Sequence, residues 1–294
     1  SEYFKELINL CMIFKTQNNL KLLYMFLYKE EVEMSNKIIK KVSAPVRIDF
    51  AGGTTDIKPF TDIYGGAVLN AAINHYVVGE LDANDKTTHL EYTGNIPTSS
   101  GLGTSSAMNV VFIALITHLK DKNKISEAVY NLEHSISESR VNGKQDMYAA
   151  AFGGINYMEF KKDKVSVHNL NLKKELIKEL ENRLVLVYSG EAHLSGSSNK
   201  AMIDNLIKGK NDKELLRIKE IAGEMKKSLL KGDLDEFAHL MNSETEQRAK
   251  LSKITLSPQL KQIIDEGMKN GAISAKICGS GGGGSILMFA EDKN

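Results

Sequence analysis

The chain has 294 residues, of which 42% are hydrophobic, and 38 Lys and Arg stand against 37 Asp and Glu. That balance suits one large or two ordinary globular domains, and it excludes intrinsic disorder, collagen-like repeats and a globally basic nucleic-acid binder. Two cysteines, Cys11 and Cys278, are too few for a disulfide framework or a thiolate zinc site and fit a cytoplasmic protein.

No stretch reaches the ~18–20 consecutive apolar residues of a membrane span. The nearest, residues 20–28, is broken by Lys21, is followed by Lys29, Glu30 and Glu31, and lacks the charge order of a secretory leader. Residues 1–33 are predicted as one or two amphipathic helices, an accessory extension without catalytic groups. Over residues 38–50, Val46, Ile48 and Phe50 alternate with Arg47 and Asp49, which is strand periodicity, and the strand runs into Gly52 and Gly53. Residues 65–73 and 76–81 continue a strand-rich pattern. A Ser/Gly run at 97–107 leads into an apolar helix, and Ile125, Ala128, Val129, Leu132 and Ile136 predict another over 124–139.

Residues 184–188 read as a short buried strand. Leu215, Ile218, Ala222, Met225 and Leu229 mark a long amphipathic helix stopped by Gly232, with further helices at 234–250 and 258–270, the latter opening on Pro258. Strands at 274–278 and 285–289 enclose a glycine run at 279–284. The mix is α+β, with a boundary expected in the polar stretch near 165–180.

Three glycine-bearing segments carry the chemistry. In PTSSGLGTSSA (97–107), glycines permit close backbone approach at a helix N-terminus, where free N–H groups and the dipole favour phosphate. Thr104, Ser105 and Ser106 exceed what one N-cap requires. The chain has no GxxxxGK[ST] motif, which disfavours a P-loop. Residues 279–284 match GxGxxG formally, but ten residues beyond it cannot supply a crossover helix and second strand, so the run is predicted as a tight interstrand loop against a phosphate loop or substrate. In the third segment, Arg47, Asp49 and Asp56 around a glycine turn suit polar substrate recognition. Asp146 is one charge in a glycine-flanked, largely apolar stretch, where desolvation can tune a general base.

In order and wording these segments resemble the GHMP small-molecule kinases over roughly residues 38–290, and most nearly the D-glycero-D-manno-heptose 7-phosphate kinases and related sugar kinases. SAPVRIDFAGG, PTSSGLGTSSA and AKICGSGGGGS are similar to the three family motifs, and RIDFAGGTTD and GKQDMYAAAFGGINYMEF to the heptose kinases. The resemblance implies an ATP-binding α+β domain (34–172) joined to a ferredoxin-like C-terminal domain (173–294), in a cytoplasmic monomer or homodimer without nucleic-acid or membrane partners.

It further implies ATP and Mg2+ as cofactors and phosphorylation of a sugar or sugar-phosphate hydroxyl, anomeric by expectation, with a heptose 7-phosphate foremost. A kinase of an unphosphorylated sugar and a non-catalytic sugar- and ATP-binding protein are the alternatives. Asp146 falls at the catalytic aspartate and Arg47 at the matching arginine. Pro97, Ser99, Ser100, Gly101, Leu102, Gly103, Thr104, Ser105 and Ser106 fall in the ATP loop. Ser105 and Glu133 are the expected metal ligands, with Glu138 as the alternative to Glu133. Asp49, Gly52, Gly53, Asp56, Lys144, Gly281, Gly282 and Gly283 fall on the substrate side, with Arg140, His193, Arg248 and Lys276 as further cations for a substrate phosphate. The chain departs from the heptose-kinase pattern where Thr54 and Ser99 replace glycines and near Thr245, where that pattern has an aromatic residue.

Overall fold

The computed structural model describes residues 28–34, 37–84, 86–97, 99–136, 142–191, 204–252 and 255–291. The N-terminal half is built on an antiparallel sheet ordered β1 (Tyr28–Met34), β2 (Lys37–Ala51), β3 (Gly66–Asn84), β5 (Ile155–Lys161), β6 (Lys164–Asn169), with β4 (Thr88–Thr93) pairing the far half of β3. Two register shifts, between Pro45 and Arg47 and between Asp49 and Ala51, bracket Arg47 and Asp49 of β2. Bulges of this kind re-aim side chains. Arg47 and Asp49 are consequently buried, not presented on a solvated strand face.

Strand β1 corrects the helix expected over residues 28–33. Its antiparallel register against β2 runs from Tyr28 opposite Ser43 to Met34 opposite Lys37, so the backbone there is a hairpin strand. The remainder of the expected helical extension, residues 1–27, lies outside the described residues.

Helix α1 (Phe60–Ile63) follows the glycine turn, and α2 (Thr104–Ile116), α3 (Lys122–Ile136) and α4 (Gln145–Phe152) provide the helical layer of this half. After α5 (Lys174–Arg183) the chain forms a three-stranded antiparallel sheet ordered β7 (Leu184–Tyr188), β9 (Ser285–Ala290), β8 (Ala272–Ile277). It is accompanied by α6 (Asp212–Lys231), α7 (Leu234–Leu251) and α8 (Pro258–Lys269). Their ends follow local chemistry. Gly232 closes α6 in the left-handed region at φ 78°, the Asp233 side chain caps α7, and Ser257 caps α8 ahead of Pro258.

One apolar cluster runs through both halves, from Val46, Ile48 and Phe50 through Val110 and Met147 to Met225, Phe237, Leu287 and Phe289. Leu170, Ile177, Leu180 and Leu184 belong to it, so the core continues across the polar stretch where a boundary was expected. A second seam joins α1 to α6. Phe60 packs with Leu215 and Ile218, Tyr64 Oη donates to Asp212 at 2.6 Å, and Lys219 Nζ donates to the Tyr64 carbonyl at 2.7 Å. The glycine turn between β2 and α1 is therefore held from both sides.

Candidate active site

Helix α2 is preceded at its N-cap by Gly103, which takes φ 73° and offers no side-chain cap, so the first amides of the helix are left for another acceptor. Gly101 precedes it at φ 76°, and a Cβ there would stand 2.6 Å from the Cys278 carbonyl. The phosphate loop is thereby seated directly on the end of β8. Ser100 Oγ and Thr104 Oγ1 are buried without a hydrogen-bond partner. Unmade bonds of this kind are expensive unless a ligand completes them. Orphaned hydroxyls, an uncapped helix start and backbone without Cβ atoms fit a polyphosphate.

Arg47 ties this loop to Asp146. Its Nε donates to Asp146 Oδ1 at 2.8 Å, its Nη2 lies 2.7 Å from the same oxygen, and its Nη1 donates to the Gly101 carbonyl at 2.6 Å. The Arg47 amide also donates to the Leu102 carbonyl at 3.0 Å. Burial alone would lower the affinity of this guanidinium for its proton, but Asp146 and Asp49 more than offset it and the pKa is raised. Asp146 opens α4, with its carboxyl carbon 3.2 Å from where a Gly103 Cβ would stand. The candidate base thus faces the start of α2.

Asp56 lies on the other flank of α4. Its Oδ2 accepts the Gln145 amide at 2.9 Å, and Gly143 leaves no room there for a Cβ. Burial, opposed by that amide and assisted by the nearby Asp146 carboxylate, pushes the Asp56 carboxyl up to about 6. Thr55 fastens the turn, donating to the Gly52 carbonyl at 2.7 Å and accepting from the Ala67 amide at 3.1 Å.

Behind the turn lies a buried charge quartet. Lys276 Nζ donates to Asp49 Oδ2 at 2.7 Å and lies 3.8 Å from Glu244, and Arg248 Nε donates to Glu244 Oε1 at 2.9 Å. Burial pulls the Asp49 carboxyl upward, but Lys276, Arg47 and Arg248 around it prevail and hold it well below the ordinary carboxylate range.

Two family models match this chain, the GHMP kinases N-terminal domain over residues 67–154 and the GHMP kinases C-terminal domain over 225–294, which together take in more than half of it. The chain belongs to the GHMP kinases. It is 28% identical to the D-glycero-alpha-D-manno-heptose 7-phosphate kinase of Campylobacter jejuni, over 85% of this chain and 89% of that protein. A crystal structure of a D-glycero-D-manno-heptose 1-phosphate kinase from Bacteroides thetaiotaomicron superposes with TM-score 0.64 at 27% identity, covering 86% of this chain and 88% of the other. A putative sugar kinase from Campylobacter jejuni gives TM-score 0.66 at 25% identity, covering 88% and 90%. As a GHMP kinase the protein is an ATP-dependent phosphotransferase.

At the two positions where the resemblance led to glycine, this chain has a left-handed backbone. Thr54 and Ser99 take φ 80° and 56°, in the left-handed region that disfavours side chains and β-branched ones most. Around the expected metal site, the structure brings Glu133 to Ser106 and not to Ser105. Ser106 Oγ donates to Glu133 at 2.9 Å, Asn109 and Asn142 hold the same carboxylate, and Ser105 is exposed. One residue along a helix is a rotation of about 100°, which separates the two serines. Glu138 lies outside the described residues.

Several substrate-side expectations meet other partners. Lys144 is turned away, with Nζ 2.8 Å from both oxygens of Glu127 and over the Tyr130 ring. Glu127 also accepts from Tyr148 at 2.6 Å, so it grips both flanks of Asp146 on α4. Arg248 and Lys276 are spent in the quartet, and Arg140 and His193 lie outside the described residues. The 279–284 loop packs against protein. A Gly281 Cβ would meet the Thr255 carbonyl at 2.4 Å, Gly282 donates its amide to the same carbonyl at 3.0 Å, and a Gly284 Cβ would stand 2.9 Å from the Ser100 carbonyl. Leu102 buries its side chain in the core and meets the site through its carbonyl. Cys278 is fully buried, and burial beside Asp49 pushes its thiol up to about 12, which disfavours the thiolate.

Among the described residues no helix is long and apolar enough to cross a membrane. Thr55, Gln145, Glu127 and Glu244 were not singled out as site residues from the sequence. The positions of Thr55 next to Asp56 and of Gln145 next to Asp146 gave a local signal.

Proposed function

We propose that this kinase phosphorylates the anomeric hydroxyl of a sugar phosphate, with a heptose 7-phosphate as the first substrate to test. The observation that carries the reading is the Arg47 guanidinium, which bridges the Asp146 carboxylate and the Gly101 carbonyl and so fixes a base to a phosphate loop as one unit. The likeness to heptose phosphate kinases over most of both chains supports the sugar class.

ATP, when bound, supplies the phosphoryl group. The first amides of α2 with Ser100 and Thr104 would hold its phosphates, and Glu133 with Ser106 would hold a magnesium ion beside them. Asp146 accepts the proton of the attacking hydroxyl, and Arg47 keeps its carboxylate aimed and balances its charge. Asp56 accepts from a sugar hydroxyl on the flank of α4. Such chemistry rests on positioning and charge stabilisation.

A second reading, an unphosphorylated sugar as substrate, is favoured by one observation. Lys144, Arg248 and Lys276, which would greet a second phosphate, are each engaged by a carboxylate. ADP release measured over heptose 7-phosphate, galactose and fucose, with mevalonate and homoserine as controls, separates the two. Turnover restricted to mevalonate or homoserine overturns both. A phosphorus NMR spectrum of the product is expected to show a sugar 1-phosphate.

A further inference from the structure

Asp49, Glu244, Arg248 and Lys276 are buried together where β2, α7 and β8 meet. Burying two ion pairs carries a desolvation penalty that apolar packing of the same volume avoids, so stability is a weak reason for the quartet. The bonds that leave it are more telling. Arg248 Nη2 donates to the Gly53 carbonyl at 2.9 Å, and its Nη1 reaches the Thr54 hydroxyl at 3.4 Å and the Gly279 carbonyl at 3.5 Å. Asp49 accepts the Gly279 amide at 3.3 Å. Glu244 grips the guanidinium through Nε and Nη2, which leaves donors to span the turn at 52–56 and the glycine loop.

The turn has no slack in this socket. A Cβ on Gly53 would stand 2.8 Å from Asp49 Oδ2, 3.2 Å from Gln145 Nε2 and 3.3 Å from Arg248 Nη2. We infer that Arg248 is a positioning residue for the sugar: it pins the Gly53 carbonyl and thereby sets where Asp56 stands beside Asp146. The inference rests on the sugar-kinase reading for its kinetic consequence, and on the fold alone for its structural one. A lysine at this place keeps the charge but offers a point donor in place of a planar fork.

Two variants of the full chain test it. Arg248→Lys retains the charge count, and the double replacement Arg248→Leu with Glu244→Leu removes the pair for an apolar packing expected to fold with little loss. In both, KM for heptose 7-phosphate is expected to rise about tenfold or more, while kcat falls less than about threefold. Hydrogen exchange of peptides covering 50–57 is expected to quicken, with the α2 peptides unchanged. A sugar KM within twofold of the parent in the double variant, or unaltered exchange over 50–57 in both, overturns the inference. If the parent turns over no sugar, the function proposed above fails instead, and the exchange result alone decides the role of Arg248.

Discussion

Two arginine–carboxylate pairs serve this site and differ in what they leave open. In the Arg47–Asp146 pair the arginine side chain is 5% exposed but the aspartate keeps 27%, and the carboxylate lies beside the start of α2. In the Arg248–Glu244 pair the values are 2% and 0%, and Arg248 spends further donors on backbone carbonyls. The first pair combines a rigid donor with an accessible acceptor, which is what proton transfer needs. The second is almost wholly buried and is suited to holding chain segments. On the function proposed above, similar chemistry, differently buried, separates the reacting pair from the positioning one.

Breaking the first pair at its carboxylate is expected to give the largest effect. Asp146→Asn preserves shape and should lower kcat by about 10³-fold, in the range of general-base losses, with ATP affinity by calorimetry within a few-fold of the parent. Retained turnover would place the base elsewhere. Breaking the second pair should act on stability. Glu244→Ala leaves Arg248 buried without its carboxylate and is expected to lose roughly 3–5 kcal/mol in chemical denaturation, whereas Asp146→Asn keeps a neutral acceptor for the buried Arg47 and should lose less, about 1–3 kcal/mol.

Asp56 sharpens the contrast, because it is buried yet proposed to meet substrate. Its carboxyl, at about 6 in the folded chain, lies above the ordinary aspartate value of about 3.9. The folded state therefore favours the proton, and this contribution to stability is full below pH ~4, declines as pH rises to ~6, and is gone above that. Asp56→Asn should flatten that slope and be as stable as the parent at pH 7 or more so, by up to about 3 kcal/mol, while its sugar KM rises. Equal slopes in parent and variant would refute this.

The smallest expected effect is at Thr54. Thr54→Gly relieves a left-handed backbone and should stabilise by about 1 kcal/mol or less, with an unchanged Asp146-dependent rate.

What the sequence disclosed was local. The phosphate loop, Arg47, Asp56 and Asp146 lie in short runs whose glycines and charges constrain the backbone around them, and the strands and long helices follow their periodicities. What it concealed was pairing across distance. The partner of Asp49 is Lys276, 227 positions away, and Arg248 meets Gly53 across 195. Nothing near Lys144 shows that Glu127 on α3 would claim it. Ser105 and Ser106 were interchangeable as letters until the phase of α2 relative to α3 was known. Strand β1 was misread because Tyr28–Met34 acquires its meaning from the β2 register opposite.

The large apolar cluster shared by the two halves constrains how the protein is made. A nascent chain that has emerged as far as α5 carries the apolar side chains of β2, β3 and α2 but lacks Met225, Phe237, Leu287 and Phe289, which complete their burial. Such long-range closure slows folding and leaves sticky surface exposed in the interval. Translation through α6 to β9 is therefore the interval in which the apolar faces of β2, β3 and α2 are expected to stand uncovered.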